Sequence, residues 1–182
     1  MLDSQGLRLR AALFRSIRQF FAERQFLEVD TPIRQPVLIP EHTIEPIGAD
    51  SWFLQASPEQ CMKRLMARGE NTIFQLSHCF RKGELGKKHL EEFTMLEWYR
   101  LDSDYHQLMD DCQDLFRSIV IDLSADPRFT VVLQNSGLTG MDAHQRWDRL
   151  SVRQAFESLC PVSAEQALMD DRFDELMVEY IE

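Results

Sequence analysis

FRKGELGKKHLEEFTMLEWYR, running from Phe80 to Arg100, sets an arginine just past one apolar segment and a glutamate and a tyrosine within the next. A charged loop holding His89 joins the two. The segments Ile73 to Phe80 (IFQLSHCF) and Phe93 to Tyr99 (FTMLEWY) are rich in aromatic and aliphatic residues and lack Gly and Pro, the composition of strands buried on at least one face. They are expected to pair antiparallel as a ligand-binding hairpin. Alternation then puts Phe93, Met95, Glu97 and Tyr99 on one face, and Thr94, Leu96, Trp98 and Arg100 on the other. A carboxylate at Glu97 is costly to desolvate among apolar neighbours unless a cation or several donors meet it. A substrate amine fits that need, and so does an Arg or Lys of the chain itself. Arg81 is open in the same way: it can cap a sheet edge, or offer its planar fork of donors to a phosphate or carboxylate.

Upstream, Ser57-Pro58-Glu59-Gln60 reads as a helix start, with Ser57 as N-cap, Pro58 in the first turn and Gln60 closing a capping box. Leu9 to Arg24 carries Leu13, Ile17 and Phe20 or Phe21 at helical spacing, so an amphipathic helix is expected. A strand over Phe26 to Val29 and a turn at Thr31-Pro32 follow. Residues 34 to 50, with Pro36, Pro40 and Pro46, read as a mostly irregular connection. After the hairpin, Asp104 and Gln107 resemble a capping box opening a helix whose Leu108, Cys112, Leu115 or Phe116, and Ile119 form an apolar stripe expected in the core. VVLQ, beginning at Val131, reads as a short strand, and the tail from Ser163 to Glu182 as one solvated amphipathic helix. His42, His78 and His106 are assigned no chemistry.

A chain of 182 residues that is 44% hydrophobic and 27% charged can bury a sizeable core and solvate its surface. It holds no apolar run near the roughly 18 residues of a membrane span, and its start lacks a signal-peptide core. A cytoplasmic protein without membrane contact is expected. Cys61, Cys79, Cys112 and Cys160 are scattered with no CxxC pair and read as thiols, not as zinc ligands. The net charge of −10 argues against broad nonspecific nucleic-acid binding, which depends on neutralising phosphates with Lys and Arg.

The run from Phe80 to Arg100 resembles motif 2 of the class II aminoacyl-tRNA synthetases, within the lysyl branch. Its ending EFTMLEWYR, with LQASPEQCMKRLMARG at Leu54 to Gly69 and WDRLSVRQAF at Trp147 to Phe156, is most similar to the elongation factor P lysine ligase family. The resemblance implies an α/β fold of the α+β kind: an antiparallel sheet flanked by helices, incomplete at its C-terminal end. It implies one truncated catalytic domain over residues 1–182, with motif 1 at about 9–32, motif 2 at about 78–100 and an insertion at 124–146. Motif 1 builds a dimer interface in that family, although the same helix pattern also suits an ordinary core helix.

By the same resemblance, Arg81 is the catalytic residue that bridges the α-phosphate of ATP and the amino-acid carboxylate. His89 lies near the phosphates and Phe93 stacks on adenine. Ser57, Pro58, Glu59, Glu97 and Tyr99 line the amino-acid pocket, with Glu59 as partner for the α-ammonium. Two positions depart from the pattern. Gly83 stands where a glutamate is usual, with Glu84 one step later as the ATP-side carboxylate, and Leu90 stands where an asparagine follows the loop histidine.

No metal-binding acidic strand and no glycine-rich motif 3 is recognisable, so Mg²⁺ is expected for an intact enzyme with ligands outside this chain. The chain alone is expected not to form adenylate. No anticodon-binding barrel is recognisable either, which favours elongation factor P over tRNA as acceptor. The implied reaction is ATP-dependent activation of lysine or an analogue, then transfer to a lysine of elongation factor P. A lysyl-tRNA synthetase fragment and a non-catalytic binding or dimerisation module remain as alternatives.

Overall fold

A computed structural model describes residues 3–37, 39–135, 146–160 and 162–181. By its contacts the chain forms two compact units, Met1–Ala143 and His144–Glu182.

In the first unit, helix α1 (Ser4–Glu23) starts where the Asp3 carboxylate accepts the Gly6 N–H at 2.7 Å, satisfying one of the amide donors that every helix start leaves open. It begins one turn earlier than the apolar spacing alone suggests. Ile17, Phe20 and Phe21 are buried along one stripe, and the chain turns out of the helix through Gln25 at φ 61°. Strand β1 (Leu27–Glu28) then runs parallel to β5 (Thr72–Phe80), pairing Leu27 with Ile73. β5 pairs antiparallel with β6 (Glu92–Arg100) along its whole length, from Thr72–Arg100 to Phe80–Glu92.

That hairpin has two unlike faces. Phe74, Leu76, Leu96 and Trp98 turn to one side and join Ile17, Phe20, Phe21, Phe26 and Leu115 in the main core. Phe21 is the centre of it, stacked on Phe74 at 4.6 Å and meeting Phe20, Phe26 and Trp98 at 5.0–5.5 Å. By the register, the other face carries Gln75, Ser77, Cys79, Phe93, Met95, Glu97 and Tyr99. The alternation expected from sequence is therefore the alternation observed.

The stretch expected to be irregular contributes both its ends to a second small sheet. β2 (Arg34–Gln35) and β3 (Gly48–Ala49) flank β4 (Trp52–Leu54) antiparallel on either side. Helix α2 (Glu59–Met66) follows.

Helix α3 (Tyr105–Ser124) is capped by Asp104, which accepts the amide hydrogens of His106 and Gln107. The Gln107 side chain turns to Asp111 at 3.5 Å. Its buried stripe is the expected one only in part, with Leu115 and Ile119 in the core as read from sequence. Asp111, Leu115 and Leu123 face inward with Ile119 packed beside them, whereas Leu108 and Phe116 are each 47% exposed. The helix is rotated so that Asp111 meets Arg100 of β6, and a four-residue spacing from Asp111 places Leu115, Ile119 and Leu123 in the core.

VVLQ is helical, not a strand. A 3₁₀ turn at Pro127–Phe129, capped by Asp126, runs into α4 (Thr130–Asn135). Phe129 and Leu133, one helical turn apart, bury together against Leu123, whereas a strand, rising about 3.3 Å per residue, would hold them roughly 13 Å apart. The expected insertion at 124–146 continues through 136–145, which lie outside the described residues.

The second unit contains α5 (Val152–Leu159), α6 (Ala164–Met169) and α7 (Phe173–Ile181). Ser151 and Gln154 form a reciprocal capping box at the start of α5. The tail is two helices, broken where Asp171 adopts φ 55°. That break lets Leu176 fold back onto Phe156, Cys160, Ala164 and Ala167, with Phe173 stacked on Phe156 at 5.1 Å. One continuous helix could not bury both apolar stretches against α5.

Among the described residues, no helix is long and apolar enough to cross a membrane.

Candidate active site

Glu97 is the hub of the polar face of the hairpin. Its Oε2 accepts the Ser57 hydroxyl at 2.7 Å and its Oε1 accepts the Tyr99 hydroxyl at 2.5 Å. Tyr99 reaches it because residues two apart on a strand share a face. Ser57 reaches it from the turn that precedes α2.

That turn differs from the expected cap. The helix begins at Glu59 with Pro58 in the cap position and no side-chain cap bond. The Ser57 oxygen accepts the Glu59 N–H at 3.1 Å and gives its own hydrogen to Glu97, so the hydroxyl is committed across the site and no capping box forms. Pro58 is fully buried beneath it.

Both oxygens of Glu97 thus meet neutral donors, each such bond to a charged group contributing about 1.5–3 kcal/mol. Among the described residues no Lys or Arg pairs with Glu97, so the structural ion pair that the sequence left open is not formed. The Tyr99 phenol is pushed far above its ordinary value, first by burial, then by its bond to Glu97 and by the charges of Glu97 and Glu59. It remains a hydrogen donor at every physiological pH.

Glu59 turns its carboxylate to Lys63, one helical turn on, at 2.5 Å. The Glu59 bond and charge push the Lys63 ammonium up, and Glu97 adds to that field. Glu59 and Glu97 therefore bear on the same small region.

At the other end of the face, Arg81 follows β5 and is 25% exposed. Its Nε donates to the Ala56 carbonyl at 3.4 Å, its Nη1 lies 3.7 Å from Glu84 Oε1, and its guanidinium sits 5.3 Å from the centre of the Phe93 ring. No bidentate carboxylate occupies the fork. Cys79 is buried between the two ends, its thiol pushed up chiefly by that burial.

Arg81, Glu84 and Phe93 form one group, and Ser57, Glu97 and Tyr99 another. The backbone from Ala56 to Ser57 links them. His89 stands apart: it is exposed in the loop, where its carbonyl accepts the Gly86 N–H at 3.1 Å. No hydrogen bond joins its side chain to either group.

The loop is held by Gly83, read from sequence only as a departure from the motif, and by Lys82, Glu45 and Glu91, which sequence reading passed over. Gly83 has φ 77° and donates its N–H to Glu91 Oε1 at 2.7 Å; a residue with a Cβ is strained there. Lys82 pairs with Glu45 through both side chain and backbone. Gly83 is thus a conformational requirement of this loop as well as the absence of a glutamate. Leu90, 65% exposed, makes no polar contact through its side chain.

Among the described residues no group of three or more His, Cys, Asp or Glu gathers as metal ligands.

The model of the class II tRNA synthetases (D, K and N) matches residues 3–179. The elongation factor P–(R)-β-lysine ligase of Vibrio campbellii is 46% identical over 136 residues, covering 69% of this chain and 42% of that protein. Its namesake in Vibrio parahaemolyticus shows the same identity and coverage. The protein of that name in Yersinia enterocolitica is 44% identical over 121 residues, covering 61% of this chain and 37% of its own. The chain spans about two fifths of the length of the curated relatives it matches. A hairpin with Arg81 at one end of its polar face and Glu97 towards the other, in a sequence that this model covers almost throughout, makes the chain a member of the class II tRNA synthetase family of the D, K and N type.

Proposed function

We propose that this chain carries the amino-acid and nucleotide half-site of an ATP-dependent ligase that activates lysine or a lysine analogue for transfer to a lysine of elongation factor P. The observation that carries this reading is Glu97: a carboxylate fixed by two hydroxyl donors and, among the described residues, ion-paired to no Lys or Arg, on the same hairpin face as a guanidinium that no carboxylate engages bidentately. That pairing of charges suits a molecule that carries both an ammonium and a carboxylate. The names of the relatives support the choice of acceptor.

In this reading the substrate carboxylate attacks the α-phosphorus of ATP and pyrophosphate leaves. Arg81 bridges the attacking carboxylate and the phosphoryl oxygens, stabilising charge that builds during transfer. Phe93, beneath the guanidinium, offers a ring to the adenine, and Glu84 and His89 are assigned to the nucleotide side. The acceptor amine then attacks the acyl carbonyl and AMP leaves. Ser57, Pro58, Glu59, Glu97 and Tyr99 hold the amino acid, with Glu59 exchanging Lys63 for the substrate ammonium. The described residues do not provide a ligand set for Mg²⁺, and no step is assigned to it.

The motif assignments, the insertion at 124–146, a homodimer and a cytoplasmic location belong to this proposal. So does the expectation that the chain forms no adenylate by itself.

The test is calorimetric titration of the chain with L-lysine and β-lysine, followed by acceptor assays of the corresponding full-length ligase with elongation factor P and with tRNA. Glu97→Gln is expected to weaken amino-acid binding at least tenfold, and Arg81→Ala to abolish pyrophosphate exchange in the full-length enzyme. Acylation of tRNA in place of elongation factor P would support the lysyl-tRNA synthetase reading. Absence of ligand binding by the chain would leave it a dimerisation or scaffold module.

A further inference from the structure

Gln75 is 1% exposed and stands directly opposite Glu97 in the β5–β6 register, so both side chains rise from the same face. Its Oε1 accepts the Thr31 hydroxyl at 3.0 Å, but its Nε2 has no partner. A buried, unpartnered amide is a standing cost that folding alone does not explain.

We infer that Gln75 is a positioning residue for Glu97, its amide N–H reserved for the carboxylate in the ligand-bound state. This rests on the reading of Glu97 as the ammonium-binding group. Ser57 and Tyr99 each occupy one lone pair on the two carboxylate oxygens, and each oxygen has a second. A substrate ammonium that draws the carboxylate towards itself loosens the hydroxyl bonds. Gln75, at the paired position and fixed at its oxygen by Thr31, then supplies the replacing donor.

The test uses calorimetry with L-lysine and β-lysine, beside thermal unfolding, on wild type, Gln75→Leu, Gln75→Met, Thr31→Val and Glu97→Gln. Both Gln75 variants are expected to weaken binding about tenfold or more while the thermal midpoint stays level or rises, since an unpaired buried amide is removed. Thr31→Val is expected to change affinity less than either. A purely structural Gln75 would do the reverse: the midpoint would fall and affinity would hold. Wild-type affinity in both Gln75 variants, with affinity lost in Glu97→Gln, overturns this inference alone. Wild-type affinity in Glu97→Gln, or no saturable binding by the wild-type chain, overturns the functional reading and this inference with it.

Discussion

Tyr99 gives its phenolic hydrogen to Glu97, two residues before it on the same strand, at 2.5 Å. The relationship holds the phenol in its neutral form, because a phenolate would lose this hydrogen bond and face the charge of Glu97.

An alkaline stability limit follows. The folded phenol titrates above its ordinary value of 10.0, so the unfolded state releases its proton first as pH rises. The contribution is complete below about pH 10 and is lost progressively above it, as the pH climbs towards the folded-state value. Denaturant unfolding across an alkaline pH series is expected to show a steeper fall in stability for wild type than for Tyr99→Phe. Parallel curves would remove the bond from the account.

The Arg100–Asp111 pair joins β6 to α3 at 3.1 Å, with the Asp111 side chain only 7% exposed. Asp111→Ala leaves the guanidinium with a buried Nε already lacking a partner. It is expected to cost roughly 3 kcal/mol, read as a lower urea midpoint. A change below about 0.5 kcal/mol would mean that solvent already satisfies Arg100.

Phe21 is fully buried and touches four other aromatic rings. Phe21→Ala is expected to destabilise the chain by about 3–5 kcal/mol, a large share of the stability of an ordinary domain, read as a strongly lowered unfolding midpoint. Retention of a sharp transition at an unchanged midpoint would contradict the central place given to this ring.

Gly83→Ala puts a Cβ on a residue at φ 77°, at a cost of about 1–2 kcal/mol confined to the loop. Faster proteolysis and hydrogen exchange over Arg81 to Glu91 are expected, with the global midpoint nearly unchanged. Unaltered exchange there would show that the loop does not depend on this conformation.

Much of the site was legible because a strand has a period of two. From FTMLEWY alone, Glu97 and Tyr99 had to share a face, and the pairing with IFQLSHCF brought Arg81 to the end of the same hairpin. The resemblance to the synthetases pointed to Ser57 as an expected pocket residue. Its bond to Glu97 was not legible, since it joins residues forty positions apart. Gln75 escaped notice because a glutamine within an apolar run carries no local signal; its meaning lies in what stands opposite. The part of the α3 stripe that was misread has one source. Leu108 and Phe116 fit an apolar stripe as well as Leu115 does, and the Arg100–Asp111 pair decided which way α3 turned.

By itself, then, the sequence determined the hairpin, its polar and apolar faces and its family, because alternation and motif spacing are local properties of the chain. Tertiary structure decided which donors hold Glu97, why position 83 is glycine, and where α3 and the 127–135 segment bury their apolar residues. Those outcomes depend on partners distant in sequence, whose approach only the folded packing sets.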